Sequence, residues 1–204
     1  MAQKELRERL ANANFERMEY LIEPEDPPSK REVLSHALRL FVRDGLCETG
    51  IRAIAEASGY TNPALYKFFA SKDALALYLF ERCYLLVYER LQTAVALTED
   101  TDARLAGVVK EWVALTDTHL DAVLFMNEGL RDFWPRVRPA VKRKSLLRLL
   151  EALVPADARV DPSLGVAKIV GTLGQVARQR FFGAFSDSRK LGTQLHTLLT
   201  WNRT

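Results

Sequence analysis

The chain has 204 residues, enough for one or two domains, and its 48% hydrophobic content is that of a packed core, which excludes a disordered chain. Twenty-nine Lys and Arg against 26 Asp and Glu leave a net charge of +3, so a bulk polycation is excluded and any contact with nucleic acid depends on where the cations stand. Cys47 and Cys83 are too few for a disulfide framework or a four-ligand zinc site, the N-terminus MAQKELRERL is charged where a secretory signal is apolar, and no run approaches the ~20 apolar residues of a membrane span, so a cytoplasmic chain without membrane contact is expected.

Apolar residues recur at helical spacing along most of the chain while alternating β-branched runs are almost absent, so the expected fold class is all-α. Residues 3–22 read as a helical extension with Leu6, Leu10, Ala13 and Leu21 on one side, stopped by the breaker EPEDPP at 23–28. Its expected place is against its own or a partner subunit rather than on DNA. A second helix runs from Ser29 to Asp44 with Val33, Leu34, Ala37, Leu38 and Phe41 on one face and Gly45 as its C-cap. Two brief helices follow, Ile51 to Ser58 and Asn62 to Phe69, separated by Gly59-Tyr60-Thr61. That spacing is a helix-turn-helix. A long helix extends from Ser71 to Leu97, and further helices are expected at 101–118, 121–132, 137–153, 162–185 and 188–202, with Asp161-Pro162 as a helix start.

In a helix-turn-helix the first helix braces on the DNA backbone and the second puts side chains into the major groove. Ile51, Ile54 and Ala55 form the core face of the bracing helix, and Thr61 is placed to cap the second. Leu65 and Phe69, four apart, face the core, which turns Asn62, Pro63, Ala64, Tyr66, Lys67 and Phe68 outward or to the flanks. Asn62 is a candidate for a base edge, Tyr66 and Lys67 for phosphate, and Pro63 or Ala64 for a thymine methyl. Lys30, Arg31 and Lys72 are further phosphate candidates.

With those residues in view, the stretch from Lys30 to Leu75 resembles the DNA-binding domain of the TetR family of transcriptional regulators. The resemblance is carried by Ala37-Leu38-x-Leu40-Phe41, Gly45, Thr49, Ile54-Ala55-x-x-Ser58-Gly59 and Leu65-Tyr66-x-x-Phe69-x-Ser71-Lys72-x-x-Leu75. It implies three parts: an N-terminal extension at 1–27, a three-helix DNA-binding domain at 28–75, and a helical effector-binding and dimerisation domain at 76–204, joined through the long helix. It also implies a homodimeric repressor that grips two successive major grooves of operator DNA and is released by a small molecule. Gly50 stands where the family often has a capping Ser or Thr, leaving Thr49 as the substitute contact. Phe68 stands where Tyr or His is usual and has no group to bond phosphate.

In the C-terminal half, Tyr84, Tyr88, Trp112, His119, Phe125, Met126, Phe133 and Trp134 each fit an ordinary helical core. As a group, in the region that the resemblance assigns to effector binding, they read as the wall of a cavity for a hydrophobic or aromatic molecule. The basic run RVRPAVKRK at 136–144, flanked by Arg131 and Arg148, reads as a solvated face, with Arg131 the candidate to meet an acidic group on the effector. Glycines and alanines along 162–185 suggest close helix contact, and the resemblance places the dimer interface on this helix and on 188–202. An enzyme is the rival reading, but His36, His119 and His196 are isolated, with no nucleophile motif, metal-ligand spacing or phosphate loop beside them, and no cofactor is expected. A helical protein-interaction module is the other rival. Only a DNA reader requires Asn62, Tyr66 and Lys67 to be exposed together.

Overall fold

The computed structural model describes residues 18–156 and 160–201, and the described residues form ten α-helices with two short 3-10 turns and no strand. The expected helix at 3–22 lies largely outside the described residues. Its end is not α-helical: Glu19–Leu21 is a short 3-10 helix, with Leu21 buried and the Arg82 guanidinium bonded to the carbonyls of Tyr20 at 2.6 Å and Ile22 at 2.9 Å. This segment therefore packs on its own subunit.

Helix α1, Pro28–Asp44, starts on a proline whose missing N–H costs nothing at the first helical position and ends where the Gly45 N–H bonds the Phe41 carbonyl. Helix α2, Ile51–Ser58, stops at Gly59, whose φ of 74° is the left-handed conformation that favours glycine. There the Tyr60 N–H returns to Ala55 and the Gly59 N–H to Glu56, satisfying two terminal carbonyls and turning the chain into α3, Asn62–Phe68. Val33, Leu34, Ala37, Leu38, Ile54 and Leu65 close into one fully buried core among these helices.

Helix α4, Lys72–Ala96, begins with the Ser71 hydroxyl accepting the Ala74 N–H and carries Leu75, Leu79, Cys83, Val87 and Leu91 into the core. Helices α5, Thr101–Thr118, and α6, Leu120–Phe133, pack along it. Helix α6 also packs on α1, so the two halves share one continuous core. The single helix expected at 137–153 is broken. A 3-10 turn at Trp134–Arg136 leads to α7, Pro139–Lys142, and after a gap α8, Leu146–Glu151, restarts on the Ser145 hydroxyl, which accepts the Arg148 N–H. The Tyr84 hydroxyl fixes the gap, donating to the Lys144 carbonyl at 2.7 Å and accepting the Leu146 N–H at 2.9 Å.

Helix α9, Pro162–Phe181, starts as expected, with the Asp161 carboxylate accepting the Ser163 and Leu164 N–H groups, but stops four residues short of 185 because Gly183 and Phe185 take positive φ. Helix α10, Ser188–Leu199, follows, and the Trp201 indole after it donates to the Leu153 carbonyl at 2.8 Å. Only some of the α9 glycines reflect packing within the subunit. A Cβ on Gly165 would lie 2.8 Å from Val154 and 3.1 Å from Trp201, whereas one on Gly171 would meet nothing within 4 Å. Gly165→Ala is expected to destabilise the fold by about 1–3 kcal/mol, the usual cost of overpacking, read as a lower urea midpoint at unchanged slope.

Candidate DNA-reading face and effector cavity

Helix α3 is held by Leu65, which is buried, and by Phe69 just after it, which leaves the opposite side open to solvent. Thr61, Asn62, Pro63, Tyr66 and Lys67 are exposed together, Tyr66 at 53%, and Ala64 is half-buried beside them. The Thr61 side chain makes no capping bond, contrary to expectation; its carbonyl instead accepts the Ala64 and Leu65 N–H groups. Phe68 is not outward: it is half-buried against the core.

Four expected phosphate ligands are turned inward. Thr49 is buried, and its hydroxyl donates to the Gly45 carbonyl at 2.8 Å, closing the loop before α2. The Lys72 ammonium donates to the Leu46 carbonyl at 2.9 Å and reaches Cys47, tying that loop to the start of α4. Arg31 is buried at 4% exposure. Lys30 pairs with Asp26 at 2.7 Å and lies 4.0 Å from the Tyr78 ring centroid. Neither Lys67 nor Arg52, which stands exposed on the first turn of α2, makes a salt bridge among the described residues. Arg52 has a local sequence signal, a cation in the first turn of the bracing helix.

The knot around Lys30 has a pH signature. Burial opposes ionisation of Asp26, but hydrogen bonds from Lys30, the Tyr78 hydroxyl and the Glu23 N–H outweigh it and hold the carboxyl below its ordinary range. Because the folded pKa lies below the unfolded value of about 3.9, this stabilisation is complete above that pH and is lost as pH falls through the folded value. Asp26→Asn is expected to lower stability at neutral pH and to flatten its decline below about pH 4, measured by urea titration across pH.

The C-terminal half holds a cavity of about 390 Å³ between α4, α5, α6, α8 and α9. Of the residues expected there, Tyr84, Trp112, Met126, Arg131 and Trp134 line it. Four do not. Tyr88 is half-buried with the Lys144 ammonium 5.9 Å from its ring centroid, and His119 sits at the α5–α6 junction edge-on to Tyr20. Phe125 stacks on Phe41 of α1 at 5.6 Å between centroids, and Phe133 packs on Phe80 at 5.4 Å. The remaining wall is largely aliphatic, with Val87 and Leu91 from α4, Leu146 and Leu150 from α8 and Leu173 from α9, joined by Asn127.

The basic run is no bare solvated face. Arg136 pairs with Asp73, Arg138 with the buried Glu81 at 2.5 Å, and Lys144 with Glu89 at 2.7 Å, so three of its cations fasten the broken segment along α4. Cys47 is exposed and Cys83 buried, both as free thiols, and burial pushes the Cys83 thiol far up. Among the described residues no group of His, Cys, Asp and Glu is placed to hold a metal ion, and no helix is long and apolar enough to cross a membrane.

The family model of the bacterial regulatory proteins, tetR family, matches residues 33–79, from α1 into α4. The transcriptional repressor KstR2 of Mycolicibacterium smegmatis is 27% identical over 152 residues, covering 70% of this chain and 73% of that protein. Among solved structures, the ketosteroid regulator KstR2 of Mycobacterium tuberculosis superposes with a TM-score of 0.69 at 21% identity, covering 83% of this chain and 92% of that one. The regulator FadR of Bacillus subtilis in complex with stearoyl-CoA gives 0.61 at 16% identity, covering 82% and 96%. Residues 33–79 thus carry the helix-turn-helix of the tetR family of bacterial regulatory proteins, the helical architecture beyond them is shared with regulators of that kind along most of the chain, and the chain is a DNA-binding transcriptional regulator.

Proposed function

We propose that this regulator is a homodimeric repressor whose α3 reads the operator and whose cavity takes an apolar effector that releases it from DNA. The joint exposure of Asn62, Tyr66 and Lys67 on one short helix carries the reading. Asn62 has the two-edged amide that suits adenine, and Lys67, Tyr66 and Arg52 are placed to meet phosphate on either side of the groove. The division stands at about residue 75, with 28–75 reading DNA and the remainder of the chain binding effector and partner.

Dimerisation through α9 and α10 is supported by what they leave uncovered. Leu164, Ala167, Gly171, Gln175, Arg178 and Phe182 recur at three- and four-residue spacing on α9 and just past its end, all exposed, with Leu164 at 63% and Phe182 at 73%. Leu198 on α10 is 61% exposed. A Cβ on Gly171 would meet no neighbouring element of its own subunit, and a helical glycine costs about 1 kcal/mol against alanine, a cost that close approach of a partner helix would offset.

The effector reading rests on the cavity, whose wall matches a hydrophobic molecule of acyl-chain or fused-ring size. The names of the similar proteins, a ketosteroid regulator and a regulator holding stearoyl-CoA, point the same way. Fluorescence anisotropy on DNA from the regulator's own upstream region, at stated salt, tests the whole. The expected result is sequence-selective binding by a dimer, weakened by a compound that a thermal-shift screen of apolar acids, ketones and sterols has picked out. Equal affinity for all DNA fragments would end the reading.

A further inference from the structure

The cavity wall is almost wholly apolar, yet two buried nitrogens on residues that line it lack any hydrogen-bond partner: Nε1 of Trp112 and Nδ2 of Asn127. Trp112 is only 4% exposed and Asn127 is half-buried. Buried polar groups are almost always paired, and an exception asks for a cause. Other buried donors of this half are paired: the Trp201 indole reaches the Leu153 carbonyl and the Tyr84 hydroxyl makes both of its bonds.

The polarity of the missing partner follows from chemistry. An indole N–H donates and never accepts, so the absent group is an acceptor, and the Asn127 amide adds a second donor on the same wall. A carboxylate buried against two neutral donors would be without a counter-charge. Arg131, one turn beyond Asn127 on α6, is exposed at the rim rather than buried beside them. We infer that the cavity is built for an apolar ligand bearing a neutral carbonyl-type oxygen, a ketone or an ester, which accepts hydrogen bonds from Trp112 Nε1 and Asn127 Nδ2. This sharpens the effector reading and rests on it. Trp112 and Asn127 set the specificity, while the aliphatic wall supplies the shape.

Two probes of one ring skeleton, 1-tetralone and tetralin, separate the parts of this inference in protein labelled with 15N at tryptophan and 13C at methionine methyls. Trp112→Phe assigns the indole signal and removes the N–H while keeping an aromatic ring, with Asn127→Leu as the second variant. The ketone is expected to move the Trp112 indole proton downfield and the Met126 methyl with it. Tetralin is expected to move the methyl alone. Each variant is expected to weaken 1-tetralone about fivefold, the worth of one hydrogen bond, and tetralin less than twofold. If both probes enter and neither the indole proton nor the variants distinguish them, the carbonyl inference is wrong while the cavity remains a ligand site. If neither probe moves the Met126 methyl or the indole, the cavity takes no such ligand and the effector reading falls with the inference.

Discussion

Lys67→Ala is expected to weaken operator binding about 30-fold at about 0.1 M salt and to reduce the slope of log affinity against log salt by about 2. Both numbers follow from the proposed dimer. A lost phosphate contact removes roughly 1 kcal/mol and about 0.9 of a released counterion, and a two-fold assembly loses each of these twice. Asn62→Ala should act differently, relaxing discrimination at one base pair per half-site by about 1–3 kcal/mol while leaving the salt slope unchanged. Lys72→Ala is the informative control. Its ammonium is spent on the Leu46 and Cys47 carbonyls, so the substitution should lower the stability of the domain and leave the salt slope where it was. Anisotropy titrations at four or more salt concentrations separate these outcomes. A slope that falls for Lys72→Ala and not for Lys67→Ala would reverse the assignment of the reading face.

That contrast also marks how far sequence reading carries. The reading head was legible because its signals are local: Gly59 supplies the turn, Leu65 and Phe69 the core side of the second helix, and Ser71 the cap of the long helix. The cations were harder. Lys30, Arg31 and Lys72 lie near the motif in sequence, but a long side chain chooses among acceptors delivered by folding, and the one that Lys72 meets stands 26 residues earlier. Thr49 was misplaced for the same reason, its hydroxyl closing a loop instead of facing solvent.

The C-terminal half was legible as helices and much less as a site. A helical apolar stripe packs equally well on a neighbouring helix or around a cavity, so periodicity could not tell Phe125 and Phe133, which pack, from Met126 and Trp134, which line. Aromatic residues drew attention that the aliphatic side chains of α8 deserved as much. The break at 143–145 had its signals in Pro139 and Ser145, but the tie that fixes it comes from Tyr84 on another helix, a contact of sequence separation 60 and 62. Glu81, nearly fully buried, likewise explains the basic run only once Arg138 is seen beside it.

Phe125→Leu is expected to leave operator affinity within about twofold in the absence of effector and to remove most of the effector's power to change it, a coupling of typically about 1–3 kcal/mol. The argument starts at the cavity wall. Tyr84 meets Trp134 at 4.8 Å and Phe80 at 6.2 Å, tilted to both; Phe80 meets Phe133 at 5.4 Å, Phe133 meets Phe125 at 6.0 Å, and Phe125 lies nearly parallel to Phe41 of α1 at 5.6 Å. Six rings thus run from the effector cavity to the helix that supports the reading head. In an interior packed like a crystal, a ring displaced at one end has no void to absorb the movement, so its neighbour moves too. Leucine keeps most of the volume, costs less than about 1.5 kcal/mol, and removes the flat face that transmits a tilt. Gly129→Ala probes the same joint without deleting a ring, since its Cβ would stand 2.8 Å from Phe133 and 3.0 Å from Phe80 and push them apart. That variant should shift the effector-free operator affinity, as though part of the ligand's work had been done in advance. The measurement is operator affinity with and without a saturating compound from the thermal-shift screen, for each variant. A full effector response in Phe125→Leu would mean that the signal travels through α4 alone, by way of the ion pairs that Asp73, Glu81 and Glu89 make with the broken segment.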